Sequence, residues 1–326
     1  MQNQIHGFSL LQESNVPELN GTASLYEHEK SGARLLHLGN DDDNKVFSIF
    51  FRTPPADSTG VAHILEHSVL CGSKKFPCKE PFVELMKGSL NTFLNAFTFS
   101  DKTGYPVASR NEKDFFNLMD VYLDAVFHPN IYDRPEIFLQ EGWHYSLPDK
   151  DAALLYNGVV YNEMKGAFSS PEQILYRKIE ESLFPDTPYG VESGGVPDDI
   201  PALSYEQFLD FHKKYYHPAN SYIFLYGNGD INRQLAFLND SYLDTFSRLA
   251  IDSAIPLQSP FANLQHITDS YPVGDDEDLT EKAFFAMNFA TVEVTDAETV
   301  LGLTILNRIL LQTASVIASR APLKKR

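Results

Sequence analysis

The sequence has almost no cysteine, and this scarcity excludes two kinds of site. Cys71 and Cys78 are the only cysteines in 326 residues, and their spacing fits neither a disulfide framework nor a Cys-x-x-Cys metal site. Long apolar runs are also missing, so no segment predicts a transmembrane helix, which needs about 20 apolar residues. Residues 1–6 lack the basic and apolar blocks of a signal peptide and the Arg-rich composition of a transit peptide. These absences predict two reduced thiols and a cytoplasmic location.

Basic residues are scarce relative to acidic ones. The chain has 26 Lys and Arg residues against 44 Asp and Glu residues, which gives a formal net charge of −18. A surface with this charge repels nucleic acid and anionic membranes and attracts cationic partners, so we predict no nucleic-acid and no membrane partner. Solubility alone is the other interpretation of the acidic charge. The hydrophobic fraction of 43% is sufficient for the cores of two domains.

Up to about residue 250, short strands and amphipathic helices follow one another. Alternation of apolar residues predicts strands at residues 22–29, 34–38, 46–51, 90–99, 105–109 and 221–226. Helical periodicity predicts helices at residues 80–87, 111–127, 135–145, 157–168, 171–183, 204–216 and 231–249. The Gly- and Pro-rich stretch 185–201 is predicted as a loop, which is either functional or an ordinary surface excursion. The mixture predicts an α+β fold.

The last part of the chain predicts a second, incomplete unit. Residues 251–270 have no clear period and contain two prolines, which indicates a linker. A strand at 283–290 and a helix at 297–311 then resemble the opening of another domain. One strand and one helix cannot bury enough surface to be stable alone. We therefore predict a first domain at 1–250, a linker at 251–270 and the truncated start of a second, related domain at 271–326.

A helix is predicted at residues 59–70, directly after two prolines and a polar segment. Ser58 or Thr59 is predicted to cap its N-terminus, and Gly72 is predicted to close it in a left-handed turn. This helix contains the pattern H-x-x-E-H, the inverted form of the zinc-peptidase motif.

The spacing within this pattern suits metal chemistry. His63 and His67 are four residues apart, so both imidazoles lie on one face and can reach one tetrahedral zinc. Glu66 lies one turn after His63, where it can hold a water and take its proton. A solvated helix with two ordinary histidines is the other interpretation of the pattern.

A catalytic zinc needs a third protein ligand, and several residues qualify from the sequence. The candidates among histidines and helical carboxylates are His128, His144, His217, Glu84, Glu136, Glu141 and Glu163. A carboxylate half-buried among Val160, Met164 and Phe168 needs a partner, which favours Glu163. A salt-bridged helix glutamate remains the alternative for that residue.

Several segments closely resemble the pitrilysin/insulinase family of metallopeptidases, and its presequence protease branch in particular. They are HILEHSVLCGS at 63–73, KEPFVEL at 79–85, SLNTFLNAFT at 89–98, DVYLDAVF at 120–127 and VVYNEMKG at 159–166. The resemblance extends from near the N-terminus to about Leu311, and the family pattern is lost after about Thr313. It implies a mostly antiparallel sheet with helices packed on one face.

The resemblance also assigns roles to residues. It implies that Glu163 is the third zinc ligand and that Glu141 is a further glutamate important for activity, which we interpret as orienting a ligand. It places a substrate-binding edge at Asn95, Ala96, Phe97 and Thr98. Members of this branch are about three times longer, with four related α+β domains in two halves. A C-terminal half is therefore implied as a partner.

The resulting functional prediction is a zinc endopeptidase domain for short, unfolded, basic peptides, impaired when isolated from its second half. One Zn²⁺ per chain would be held by His63, His67 and Glu163, with Glu66 as the general base. A catalytically silent peptide-binding or scaffold domain of the same fold is the alternative. A purely structural zinc site is disfavoured, because it would need four protein ligands and no general base.

Overall fold

The structure, a computed structural model, describes residues 4–79, 81–274, 276 and 278–311. Its strands are β1 Gln4–Ile5, β2 Phe8–Val16, β3 Gly21–His28, β4 Arg34–Gly39, β5 Lys45–Arg52, β6 Asn91–Leu94, β7 Phe97–Thr98, β8 Lys102–Ser109, β9 His144–Ser146, β10 Leu155–Asn157 and β11 Ser221–Gly227. Its α-helices are α1 Val61–Val69, α2 Pro81–Gly88, α3 Glu112–Phe127, α4 Pro135–Glu141, α5 Val159–Ala167, α6 Pro171–Leu183, α7 Tyr205–Tyr215, α8 Ile231–Ser241 and α9 Ala297–Leu311. The predicted α+β class is confirmed.

One large sheet organises the first part of the chain. Its strand order is β1-β2-β3-β4-β11-β5-β8-β6, and β7 also pairs with β8. Only β4 and β11 run parallel among these pairs, so the predicted mostly antiparallel sheet is confirmed. Strands β6 and β7 form one edge of the sheet, and β9 and β10 form a separate two-stranded sheet.

The core lies against one side of the central strands. Phe47, Ile49 and Phe51 alternate along β5 and are fully buried, as are Phe115 and Leu118 on α3, which contacts β5 and β8. Each fully buried side chain of this size stabilises the fold by about 2 kcal/mol. Helix α1 contacts β7 and β8, which places the H-x-x-E-H motif beside the sheet edge.

Several predicted boundaries are wrong because side chains make tertiary contacts. The helix predicted at 135–145 ends at Glu141, where Gly142 leaves the helical conformation and the Trp143 indole donates to the Leu203 carbonyl, 3.0 Å away. The helix predicted at 231–249 ends at Ser241, because the buried Tyr242 hydroxyl donates to the Asp120 carbonyl, 2.8 Å away.

The sheet edge and the start of α1 also differ from the predictions. The strand predicted at 90–99 is divided into β6 and β7, with Asn95 and Ala96 between them. Helix α1 begins at Val61, and its N-cap is Gly60, which has a φ of 72° and provides no side-chain cap. Thr59, one of the two predicted caps, instead donates its hydroxyl to Asp57 Oδ1 at 2.6 Å. Strand β2 had no prediction, since five of its nine residues are exposed.

The chain divides into two compact units, Met1–Asp278 and Leu279–Arg326. Residues 251–270 belong to the first unit and have no helix or strand, and Ser253 among them donates to Asn220 Oδ1 at 2.8 Å. In the second unit α9 has the predicted bounds, but residues 283–290 form no strand, so that prediction is wrong. Phe285 there is 85% exposed and lacks the neighbouring strands that would stabilise an extended segment.

The predicted domain boundaries stay predictions, and Glu80 and residues 312–326 lie outside the described residues.

Within the described residues, no helix combines the length and apolar character that a membrane crossing requires.

Candidate active site

Helix α1 presents two imidazoles on one face. The rings of His63 and His67 have centroids 4.9 Å apart and an interplanar angle of 78°. This is the arrangement that the four-residue spacing predicts for neighbours one helical turn apart. His63 is 8% exposed, so its ring is largely removed from solvent.

Helix α5 brings a carboxylate to the same point. Glu163 Oε2 lies 3.7 Å from His63 Nε2 and 3.8 Å from His67 Nε2. One ligand atom from each of the three residues lies within 4.8 Å of the others. In the part of the chain that the structure describes, no other group of three His, Cys, Asp or Glu residues has this spacing. The structure therefore brings together the three residues predicted as metal ligands.

The other candidates for the third ligand lie outside this cluster. The histidines among them have partners of their own, which are Asp124 for His128, the Leu139 carbonyl for His144 and the Ala219 amide for His217. Glu84 lies on α2 and Glu136 pairs with Arg134 on α4. Glu141 is adjacent to the cluster but contacts it from the far side of His67.

Each imidazole has an outer partner that fixes its orientation. His63 Nδ1 donates to the Gly194 carbonyl oxygen at 3.1 Å, because a carbonyl oxygen can only accept. His67 Nδ1 lies 3.4 Å from Glu141 Oε2. Both Nε2 atoms are left facing Glu163. Carboxylate and carbonyl partners of this kind orient metal-binding histidines, and the orienting role of Glu141 stays a prediction.

The His67–Glu141 pair shifts the titration of both groups. Burial alone lowers the pKa of His67, but the hydrogen bond to Glu141 and the negative charges of Glu66, Glu141 and Glu163 outweigh it, so the pKa is raised above 6.5. Burial alone raises the pKa of Glu141, but hydrogen bonds from His67 and Gln140 lower it below its ordinary 4.5. In the metal-free chain this pair is an ion pair at mildly acidic pH.

A pH-dependent stability follows for the metal-free chain. The raised pKa of His67 stabilises the folded state below pH 6.5, and this contribution is lost as the pH rises through the raised value. The lowered pKa of Glu141 stabilises it above pH 4.5, and this contribution is lost as the pH falls. Glu141→Gln is therefore expected to destabilise the chain most between pH 4.5 and 6.5, as measured by urea unfolding with a chelator present.

The control for this prediction is Glu206→Gln, which removes an exposed charge from α7. It should show no such dependence. A Glu141→Gln effect that stays constant as the pH rises well above 6.5 would contradict the ion pair.

Glu66 lies on α1 but outside the ligand cluster. Its side chain is 9% exposed, and Thr98 Oγ1 donates to Glu66 Oε2 at 2.5 Å. Burial, and to a smaller extent the negative charge of Glu66, raises the pKa of the Tyr122 phenol, which therefore stays protonated. The Tyr122 hydroxyl donates to the Asn95 carbonyl at 3.3 Å. The sheet edge is thus fixed beside the buried carboxylate.

A pocket of about 340 Å³ opens next to these groups. Its apolar wall includes Leu70, Phe82 and Val83, and its polar side includes Glu66 and His67. A concave apolar surface beside a few polar groups is the usual form of a ligand site.

The predicted substrate-binding residues divide between this pocket and the sheet edge. Asn95 and Ala96 line the pocket. Phe97 and Thr98 form β7, which pairs with β8. Phe97 is 38% exposed, and Thr98 is directed to Glu66 rather than to solvent. Two contacts were not predicted from the sequence, the Thr98–Glu66 hydrogen bond and the hydrogen bond from His63 to the Gly194 carbonyl. The only sequence signal for the second contact was the Gly-Gly pair in the long loop.

Comparison with known proteins gives two family matches. Residues 52–135 match the family model described as Insulinase (Peptidase family M16), and residues 202–321 match the one described as Peptidase M16 inactive domain. The first match contains the H-x-x-E-H helix.

Similar proteins are found among bacterial and eukaryotic sequences. Protein HypA of Clostridium perfringens is 57% identical over 325 residues, which is 99% of this chain and 33% of that protein. Presequence protease 1, chloroplastic/mitochondrial, of Arabidopsis thaliana is 49% identical over 322 residues, 98% of this chain and 29% of that protein. Presequence protease, mitochondrial, of Mus musculus is 43% identical over 316 residues, 94% of this chain and 30% of that protein. The chain thus spans about a third of the length of these curated relatives.

Among solved structures, the crystal structure of pitrilysin is similar with a TM-score of 0.56 at 20% identity, over 72% of this chain and 24% of that chain. This likeness concerns the fold.

Proposed function

The chain belongs to the M16 peptidase family, and from that premise we propose that it is a zinc-dependent endopeptidase domain for short, unfolded peptides. The observation that carries the proposal is the convergence of His63, His67 and Glu163 beside the buried Glu66. These are two ligand types and one acid–base group in the arrangement that metal-assisted hydrolysis needs.

The donor set fits zinc. Two imidazole nitrogens and one carboxylate oxygen are typical of catalytic zinc, which keeps a fourth position open. With bonds of about 2.0 Å in a tetrahedron, ligand atoms lie roughly 3.3 Å apart, and the two Nε2 atoms lie 3.7 and 3.8 Å from Glu163 Oε2. Zinc held there would lower the pKa of a water and polarise the scissile carbonyl. A structural site would need a fourth ligand, which this group of three does not supply.

Glu66 is the proposed general base. Its buried carboxylate lines the pocket and is held by Thr98. From this position it would take a proton from the attacking water and deliver it to the leaving amine. The hydrogen bond from Thr98 holds the carboxylate in this orientation beside the pocket.

The proposed substrate is an extended peptide that adds to the sheet edge. Strands β6 and β7 end the sheet next to Glu66, and main-chain pairing with such an edge selects unfolded chains. The pocket beside Leu70 and Phe82 would take an apolar side chain. The net charge of −18 favours basic peptides by long-range attraction.

The alternative function is a catalytically silent peptide-binding or scaffold domain. The family match described as inactive covers residues 202–321 and includes none of the four site residues. Since His63, Glu66, His67 and Glu163 are all present and His63, His67 and Glu163 converge, we favour the endopeptidase.

Two further predictions from the sequence stay proposals. The C-terminal half is a proposed partner, because the relatives are about three times longer than the part this chain matches. The cytoplasmic location is the other, and two of the relatives carry organelle names.

The test is zinc-dependent cleavage. We expect the chain with zinc to cleave a basic, unstructured peptide faster than an acidic peptide of the same length, because of charge attraction. A chelator should stop cleavage and added zinc should restore it, as followed by mass spectrometry with chain in excess over peptide. Cleavage that survives chelation would refute the zinc mechanism. Zinc and peptide binding without any cleavage, even after the missing C-terminal half is added in trans, would favour the silent domain.

A further inference from the structure

The outer partner of His63 is a main-chain carbonyl from a distant loop. Gly194 lies 131 residues after His63, and its oxygen accepts from His63 Nδ1 at 3.1 Å. A main-chain carbonyl has no side-chain freedom, so the position of this acceptor depends on the path of the loop. Residues 192–196, here called the 192–196 loop, set that path.

The 192–196 loop is attached to the segment that precedes α1. The Val196 amide donates to the Ser58 carbonyl at 2.8 Å, and the Glu192 amide donates to Ser58 Oγ at 3.1 Å. Within the loop, the Gly194 amide donates to Glu192 Oε1 at 3.1 Å. One residue, Ser58, therefore anchors both ends of the loop.

The segment before α1 and the 192–196 loop cross so closely that neither Gly60 nor Gly195 has room for a side chain. A Cβ on Gly60 would lie 2.7 Å from the Gly194 oxygen and 2.9 Å from Gly195 Cα. A Cβ on Gly195 would lie 2.9 Å from Gly60 Cα. Both glycines have positive φ, 72° and 101°, which disfavours any other residue. A methyl group at Gly60 would push the Gly194 carbonyl away from His63.

The same loop contacts the helix that carries the third site residue. A Cβ on Gly194 would lie 2.8 Å from Met164 Cε, and Met164 follows Glu163 on α5. The 192–196 loop thus contacts α5 while its carbonyl binds His63 on α1.

We propose that the 192–196 loop is a positioning element of the metal site: the Gly60–Gly195 crossing places the Gly194 carbonyl so that His63 carries its proton on Nδ1 and presents a free Nε2 toward Glu163. This inference rests on the proposed zinc site. A partner of this kind fixes the tautomer of a metal-binding histidine, and its loss typically costs about 10- to 100-fold in metal affinity.

The experiment compares Gly60→Ala with a matched control, Gly32→Ala. Gly32 also has a positive φ, 80°, but its nearest neighbours belong to the Arg248 side chain, away from the site. Zinc affinity is measured by chelator competition, and the tautomer of His63 in the metal-free chain is read from its imidazole ¹⁵N shifts, assigned with His63→Ala. Gly60→Ala should lose about 10- to 100-fold in affinity and lose the Nδ1–H preference, whereas Gly32→Ala should retain both.

The readouts separate the two proposals. Failure of the wild-type chain to bind zinc would refute the proposed function, while the ¹⁵N measurement would still test the loop. Normal affinity and an unchanged tautomer in a folded Gly60→Ala would overturn the loop's role. Should Gly60→Ala not fold, Ser58→Ala serves instead, because it removes only the side-chain anchor to Glu192. It should show a smaller loss in the same direction, and wild-type values for both readouts would again overturn the proposal.

Discussion

Glu66→Gln is expected to reduce peptide hydrolysis by about a hundredfold or more while zinc stays bound, because a general acid–base residue contributes roughly 100- to 10,000-fold. Glutamine has the size of glutamate and its amide oxygen can still accept the hydrogen bond from Thr98. It cannot take a proton from water. The measurement is single-turnover cleavage with chain in excess, together with metal analysis of the dialysed variant.

The matched control for Glu66→Gln is again Glu206→Gln, which removes the same charge from the exposed start of α7 and should leave hydrolysis unchanged. Loss of zinc by Glu66→Gln would mean that Glu66 supports the metal rather than the proton transfer. A decrease of about tenfold or less would be too small for the main proton carrier. Either result would contradict the assigned role.

The site residues whose arrangement could be predicted are those that lie close together in the sequence. His63, Glu66 and His67 lie within one helix, and helical geometry fixes their relation whatever the rest of the chain does. Glu163 is different, because its approach depends on how α5 packs against α1. The residues alone left seven candidates, and the family resemblance selected among them.

The parts that could not be predicted are contacts between segments far apart in the chain. Ser58 and Thr59 are residues of the types that cap helices well, yet the N-cap of α1 is Gly60, where the 192–196 loop crosses. The Thr98–Glu66 hydrogen bond likewise joins two separate elements, β7 and α1. Local propensity describes a segment by itself, and tertiary packing overrides it at these points.

The loss of zinc binding should depend on whether the substituted residue is a metal ligand or an outer partner of a ligand. The wild-type chain is expected to bind about one zinc after dialysis, as a three-ligand catalytic site does. The His63→Ala, His67→Ala double variant should bind none. Glu163→Ala should lose stoichiometric binding, because its Oε2 faces both Nε2 atoms. Glu141→Gln should keep the metal with about 10- to 100-fold lower affinity, as the loss of an outer partner does.

This order of effects distinguishes the proposed ligand set from its nearest competitor. Glu141 and Glu163 both contact His67, at 3.4 and 3.8 Å, so proximity alone does not say which carboxylate binds metal. Only Glu163 also reaches His63 Nε2, while Glu141 faces the opposite nitrogen of His67. If Glu141→Gln released zinc and Glu163→Ala retained it, the ligand assignment would be reversed. If the double histidine variant kept a full equivalent, the metal would lie elsewhere in the chain and the zinc mechanism proposed for this site would be refuted.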